Sequence, residues 1–175
     1  MKIKPTYRTP FKRRREGKTD YKKRLKLLLS NKPRLVVRKS LKYIRAQVVE
    51  FSKEGDRTLV AASSQEFKKL GWKFAFDSLP AAYLTGLLIG KRALKKGIKE
   101  TLLDTGLYIS TKGSRVYAVA KGVLDAGLKV PANKEVLPQE ERVKGIHIAN
   151  YIKKFKDLPE VFEKVRVEIL GGKHG

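Results

Sequence analysis

The stretch "PRLVVRKSLKYIRAQVVEF", Pro33 to Phe51, decides the fold. It holds two β-branched runs, "RLVVRKS" and "YIRAQVVEFS", joined by a short polar link around Ser40 to Lys42. In the second run Ile44, Ala46 and Val48 fall on one face while Tyr43, Arg45 and Gln47 fall on the other. That alternation is the period of a strand with one buried side. "EGDRTLVAASS" follows, a Gly-Asp turn and then a third strand over Arg57 to Ala62. Strands this closely linked are expected to form an antiparallel meander.

After the meander the period lengthens. Leu84, Leu87, Leu88 and Leu94 mark a helix beginning at Pro80, and Ala82, Gly86, Gly90 and Ala93 line it with small residues. Such a stripe suits close approach to a sheet or another helix. "IKETLLDTG" reads as a fourth strand ending in a turn at Asp104-Thr105-Gly106. From Arg115 a second helix is set by Val116, Val119, Ala120, Val123 and Leu124, with Gly127 at the stop. The predicted fold class is therefore α/β, a mixed sheet built from a three-strand antiparallel meander and then helix-strand-helix. Past "KVPANKEVLP" the chain is looser and more charged. There "RVKGIHIANYIKKFK" is read as an amphipathic helix through Ile148, Tyr151, Ile152 and Phe155, and "PEVFEKVRVEIL" as a short element before a flexible "GGKHG" end.

On the N-terminal side, "FKRRREGKTDYKKRLKLLL" (Phe11 to Leu29) carries nine Lys or Arg in nineteen residues. The whole chain has 41 Lys and Arg against 17 Asp and Glu, a formal net charge of +24, and 18 of those cations lie in residues 1–45 beside two acids. A basic arm on a more balanced body is the expected organisation: residues 1–33 as arm with a short helix, 34–130 as core, 131–175 as a helical C-terminal extension. A charge excess this large calls for a polyanionic partner, and nucleic acid is the commonest one. Lys12 to Lys18 is expected to be extended, followed by a helix capped at Thr19-Asp20, docked by Leu25, Leu28 and Leu29, and stopping near Ser30-Asn31. Tyr7, Phe11 and Tyr21 are aromatics placed to stack on unpaired bases.

Catalytic and metal chemistry find no purchase. The chain has no cysteine and two histidines, His147 and His174, without further ligands at metal spacing. "LLDTG" matches the active-site tripeptide of retroviral aspartic proteases, but a single copy in a chain needs a dimer, and Asp104 better suits a turn. Gly90-Lys91 lacks the rest of a phosphate-binding loop. No cofactor is expected. The longest apolar run, Ala81 to Gly90, is about half a bilayer span and the start lacks a secretory core, so a soluble, non-membrane protein is expected.

These segments carry a resemblance. "RRREGKTDY", "PRLVVRKSLKYIRAQVVEF", "AASS", "AAYLTGLLIGKRAL" and "KGVLDAGLKVP" are similar, in order, to successive blocks of the large-subunit ribosomal protein family numbered eighteen, the universal partner of 5S ribosomal RNA. "RVKGIHIANYIKKF" resembles an extension of archaeal and eukaryotic members, and the short length points to an archaeal source. The resemblance implies a ribonuclease H-like topology without catalytic carboxylates, and no enzyme activity. It implies a cytoplasmic place in the central protuberance of the large ribosomal subunit, in contact with 5S RNA, large-subunit RNA and neighbouring ribosomal proteins. The RNA-binding residues it carries over are Lys12, Arg13, Arg14, Arg15, Lys18, Tyr21, Lys22 and Arg24 in the arm. From the first strands it adds Arg38, Lys39, Lys42, Tyr43 and Arg45, and from the second helix Arg115 and Tyr117, where bacterial members have a basic segment. Two rivals are a non-specific nucleic-acid-binding protein outside the ribosome and an enzyme acting through Asp104.

Overall fold

A computed structural model describes residues 6–171. The expectation for the last four residues, His174 included, lies outside them. Strands β1 (Arg34–Lys39), β2 (Ile44–Glu50), β3 (Arg57–Ser63) and β4 (Leu102–Asp104) form one sheet in the order β3-β2-β1-β4. The first three make the expected antiparallel meander, with Leu35 opposite Val48 and Val37 opposite Ala46. The fourth runs parallel to β1, pairing Leu35 with Leu103. Strand alternation sends Leu35, Val37, Ile44, Ala46, Val48 and Ala62 to a fully enclosed face.

Helices α3 (Leu79–Lys95) and α4 (Arg115–Asp125) cover that face. Pro80 stands in the first turn of α3 and the Ser78 side chain accepts the Ala81 amide, so the start is chemically specified. The small-residue stripe does what its spacing suggests. A Cβ on Gly86 would run into the Val119 main chain, and one on Gly122 into the Tyr83 carbonyl. The two helices thus touch backbone to backbone. Every residue from Pro80 to Gly90 is buried, because α3 is enclosed all round.

Three local expectations need correcting. Lys12–Arg15 forms a single helical turn, α1, instead of an extended segment. Gly17 (φ +62°) lets the chain turn back so that the Lys18 amide bonds the Arg13 carbonyl, and four cations in the turn suit its negative end. In α2 (Tyr21–Leu28) the cap is Asp20, whose Oδ1 accepts the Lys22 and Lys23 amides, whereas Thr19 accepts from Arg13 Nε. No residue of α2 is fully buried; of the three expected docking leucines Leu25 and Leu29 are exposed and Leu28 is half-buried.

The C-terminal reading is corrected as well. Residues 140–151 form two short helices, α5 (Glu140–Lys144) and α6 (Ile146–Tyr151), separated by Gly145 at φ +75°. Tyr151 is exposed, and Phe155 packs edge-on against Phe74 at 5.7 Å. The final segment is a 13-residue helix, α7 (Leu158–Leu170), instead of a short element. Its Phe162, Val165 and Ile169 join the same core as α3, and Phe162 meets the Tyr83 ring at 5.7 Å.

Candidate nucleic-acid interface

The sheet has a second face, which α3 and α4 do not cover. Strand register places Arg34, Val36 and Arg38 of β1 beside Arg45, Gln47 and Val49 of β2 on that side. The arm lies against it, held by ions. Arg24 of α2 donates to Asp56 Oδ1 at 2.9 Å, and Asp56 Oδ2 accepts from Arg34 Nη2 at 2.7 Å. Arg34 Nη1 reaches Asp104 Oδ2 at 3.0 Å. Arg34 is only 3% exposed, a guanidinium sealed between two carboxylates. Burial by itself raises the Asp56 carboxyl, but hydrogen bonds and charge from Arg24 and Arg34 outweigh it and hold it below the ordinary carboxylate range.

Asp104 also closes the strand-end turn expected of "LLDTG", its Oδ1 accepting the Gly106 amide at 2.8 Å. Arg38 folds across that turn. Its Nη1 donates to the Asp104 carbonyl at 3.0 Å and its guanidinium sits where a Cβ on Gly106 would have to go. Its side chain remains 45% exposed, so one edge of the fork faces outward.

The expected RNA-binding residues fall into two groups. In the arm, Lys12, Arg14, Arg15 and Lys22 are exposed and their side chains hold no partner among the described residues. Lys18 pairs with Glu16 at 2.9 Å, Arg13 with Thr19, and Arg24 is spent on docking. Tyr21 leans on Phe11, ring centroids 5.3 Å apart.

The second group gathers at the tip between β1 and β2. The Ser40 hydroxyl accepts the Tyr43 amide at 2.9 Å, shaping a tight turn that projects Lys42 and, on the strand behind it, Arg45, both exposed and unpaired among the described residues. Lys39 lies over the Tyr108 ring at 5.0 Å, and the Tyr108 hydroxyl bonds both the amide and the carbonyl of Lys39. Tyr43 packs on Phe76, whose neighbour Asp77 holds Arg115 at 2.7 Å. The Tyr117 hydroxyl is bonded to Ser110 in the loop that carries Tyr108. Arg115 and Tyr117 therefore brace the tip.

Arg34, Asp56 and Tyr108 were missing from the sequence-based set. An arginine opening an apolar strand, with an Asp in each of two flanking turns, was the available signal for the first two. Nothing in the local sequence links Tyr108 to Lys39. Among the described residues, no group of three or more His, Asp or Glu side chains could hold a metal, and no helix is long and apolar enough to cross a membrane.

A comparison with known families matches residues 5–102 to the ribosomal large subunit proteins 60S L5 and 50S L18. The chain belongs to this family. The matched span runs through the arm, the whole meander, α3 and the start of β4, so it contains Arg24, Arg34 and Asp56 of the docking ions and the turn between β1 and β2, while Asp104, Tyr108, Arg115 and Tyr117 lie beyond it. As a large-subunit ribosomal protein it has a structural role, with ribosomal RNA and other ribosomal proteins as its partners. A family of this kind is generally non-enzymatic.

Proposed function

We propose that this ribosomal protein binds 5S ribosomal RNA and helps attach it to the large-subunit RNA in the central protuberance. What carries the reading is the row of exposed, uncommitted cations on the arm, Lys12, Arg14, Arg15 and Lys22, held beside the open sheet face by separate ionic contacts. Protein carboxylates dock the arm, which leaves its other cations for phosphate. Arg13, Lys18, Tyr21, Arg38, Lys39, Lys42, Tyr43 and Arg45 complete the proposed RNA surface, with Arg24 holding the arm in place and Arg115 and Tyr117 supporting the tip between β1 and β2.

Division of labour follows the three segments: residues 1–33 grip RNA, 34–130 form the scaffold, and 131–175 meet neighbouring ribosomal proteins. The strand order β3-β2-β1-β4, with β4 parallel to β1, supports a ribonuclease H-like topology. A parallel bridge between Glu100 and Lys129 stands where a fifth strand would extend it. Asp104, the one core acid on β4, is tied to Arg34, which suits a scaffold without that enzyme's metal-binding carboxylates. The protein's place is then the cytoplasmic ribosome, and the C-terminal block suits an archaeal or eukaryotic one.

The test is binding to 5S ribosomal RNA, to a length-matched unrelated RNA and to duplex DNA across a salt series. With about eight phosphates contacted, log K falls with log salt at a slope of roughly −6 to −7. A preference for 5S RNA of about a hundredfold that survives added salt, and that is lost on removing residues 1–24, is the expected outcome. Equal binding to all three, vanishing together as salt rises, would leave a generic polyanion binder, since phosphate contacts carry no sequence information.

A further inference from the structure

Between the arm and the open face of the sheet lies a cavity of about 290 Å3. Six cationic side chains border it: Arg13, Lys18, Lys23, Arg24, Arg34 and Arg38. Three carboxylates do so as well, and all are engaged. Asp20 caps α2, while Asp56 and Asp104 bind Arg24, Arg34 and Arg38. Cations therefore outnumber carboxylates six to three around the cavity, and Arg13, Lys18 and Lys23 are exposed at its rim, Lys18 beside Glu16. Lys23 has no side-chain partner among the described residues.

The walls differ from the rim. Val36 and Val49 contribute apolar surface from the sheet and Leu107 from the turn after β4, half of it exposed. Gln47 and Thr58 stand among them with an amide and a hydroxyl that hold no hydrogen bond among the described residues. A convex row of lysines is enough to follow a phosphate backbone. A concave site with a cationic rim, apolar walls and free hydrogen-bonding groups has the makings of a small-molecule pocket. A paired base is locked in its stack and cannot enter, whereas an unpaired one can be splayed out and read.

We propose that this cavity receives one unpaired nucleotide of the bound RNA. Its phosphate sits at Arg13, Lys18 and Lys23, its base lies against Val36, Val49 and Leu107, and its edge meets Gln47 and Thr58. The assignment rests on the RNA-binding reading above and deepens it, making the protein a reader of a bulge or loop as well as of backbone.

The test uses the full chain and two RNA hairpins, one fully paired and one with a single bulged 2-aminopurine, alongside 5S ribosomal RNA and free adenosine monophosphate. Gln47→Trp places an indole in the cavity from an exposed position of β2 without changing any charge. Thr58→Trp repeats this from β3, and melting curves show that each variant is folded. The wild-type chain is expected to prefer the bulged hairpin about tenfold, as one stacked base allows, with a change in 2-aminopurine fluorescence. Both Trp variants should lose that preference while keeping the affinity for the paired hairpin and its salt slope. No preference in the wild-type chain, or a preference that survives in a folded Trp variant, overturns the proposal. So does adenosine monophosphate binding as tightly as the bulged hairpin, because the pocket would then serve a free nucleotide. Failure of the wild-type chain to prefer 5S RNA over unrelated RNA overturns the parent reading, a result seen in a separate arm of the experiment.

Discussion

The two faces of the sheet are closed by opposite chemistries. One is sealed by α3 and α4 through apolar side chains and backbone contact at Gly86 and Gly122. The other carries an arm with no buried residue in its helix, held through the chain Arg24–Asp56–Arg34–Asp104. Apolar burial needs no charge, whereas the partly exposed Arg24–Asp56 pair is screened by salt and is lost when Asp56 takes up a proton. The difference teaches where the molecule can adapt. Its scaffold is fixed by packing, and its RNA-facing arm is attached by contacts that a polyanion, itself a competing source of negative charge, can rearrange.

The largest test of this contrast is at the helix crossing. Gly86→Val introduces branched carbon where the Val119 main chain already lies, and backbone cannot move aside as a flexible side chain would. A loss of about 3 kcal/mol or more is expected in denaturant unfolding, enough to unfold much of the population of a marginal domain. If Gly86→Val proves neutral, the helices are not in backbone contact and the contrast fails at its stronger half.

Next is the floor of the other face. Arg34→Met removes the one cation between Asp56 and Asp104 and leaves Asp104, 8% exposed, without its main charge partner. Removing one member of a buried pair costs about 3 kcal/mol, less here because Arg38 still borders Asp104 at 3.5 Å. The double change Arg34→Met with Asp104→Leu should recover part of that loss. Recovery in thermal unfolding would separate the charge effect from packing, and its absence would mean that Arg34 acts by shape alone.

The meander was legible because alternation in Ile44, Ala46 and Val48 is a property of consecutive residues. So was the stripe of Gly86 and Gly90, since one helix face can be read without its partner. The arm was harder. Nothing in "KRRREGK" says that Gly17 will turn the chain back, and leucines at helical spacing look like a docking face whether or not apolar surface awaits them. Arg24, Arg34, Asp56 and Asp104 meet only once four segments converge, so their sequence neighbours carry no trace of it. In α7, Leu158, Phe162, Val165 and Ile169 repeat at helical spacing, and that signal was available though diluted by the charges between them. Of the candidate site, the exposed cations could be read from composition; which of them are spent on carboxylates could not.

The smallest expected effect concerns how the arm lets go. Asp56 has a carboxyl held below its ordinary value of 3.8, so its pairing with Arg24 and Arg34 stabilises the docked arm fully above that value. As pH falls through the lowered value the carboxylate takes up a proton and that contribution disappears. Hydrogen exchange in Tyr21–Leu28 should therefore accelerate, relative to the intrinsic rate, as pH drops below about 4, with a loss of at most about 1 kcal/mol because the contact is partly solvated. Asp56→Asn should show the faster exchange already at neutral pH and no further step on acidification. Amides of α3, which share no bond with Asp56, should be unmoved in both proteins across the same range. If the α2 amides of the wild-type chain hold steady through the acid step, the arm is fastened by half-buried Leu27 and Leu28 instead, and the two faces of the sheet are more alike than their chemistry suggests.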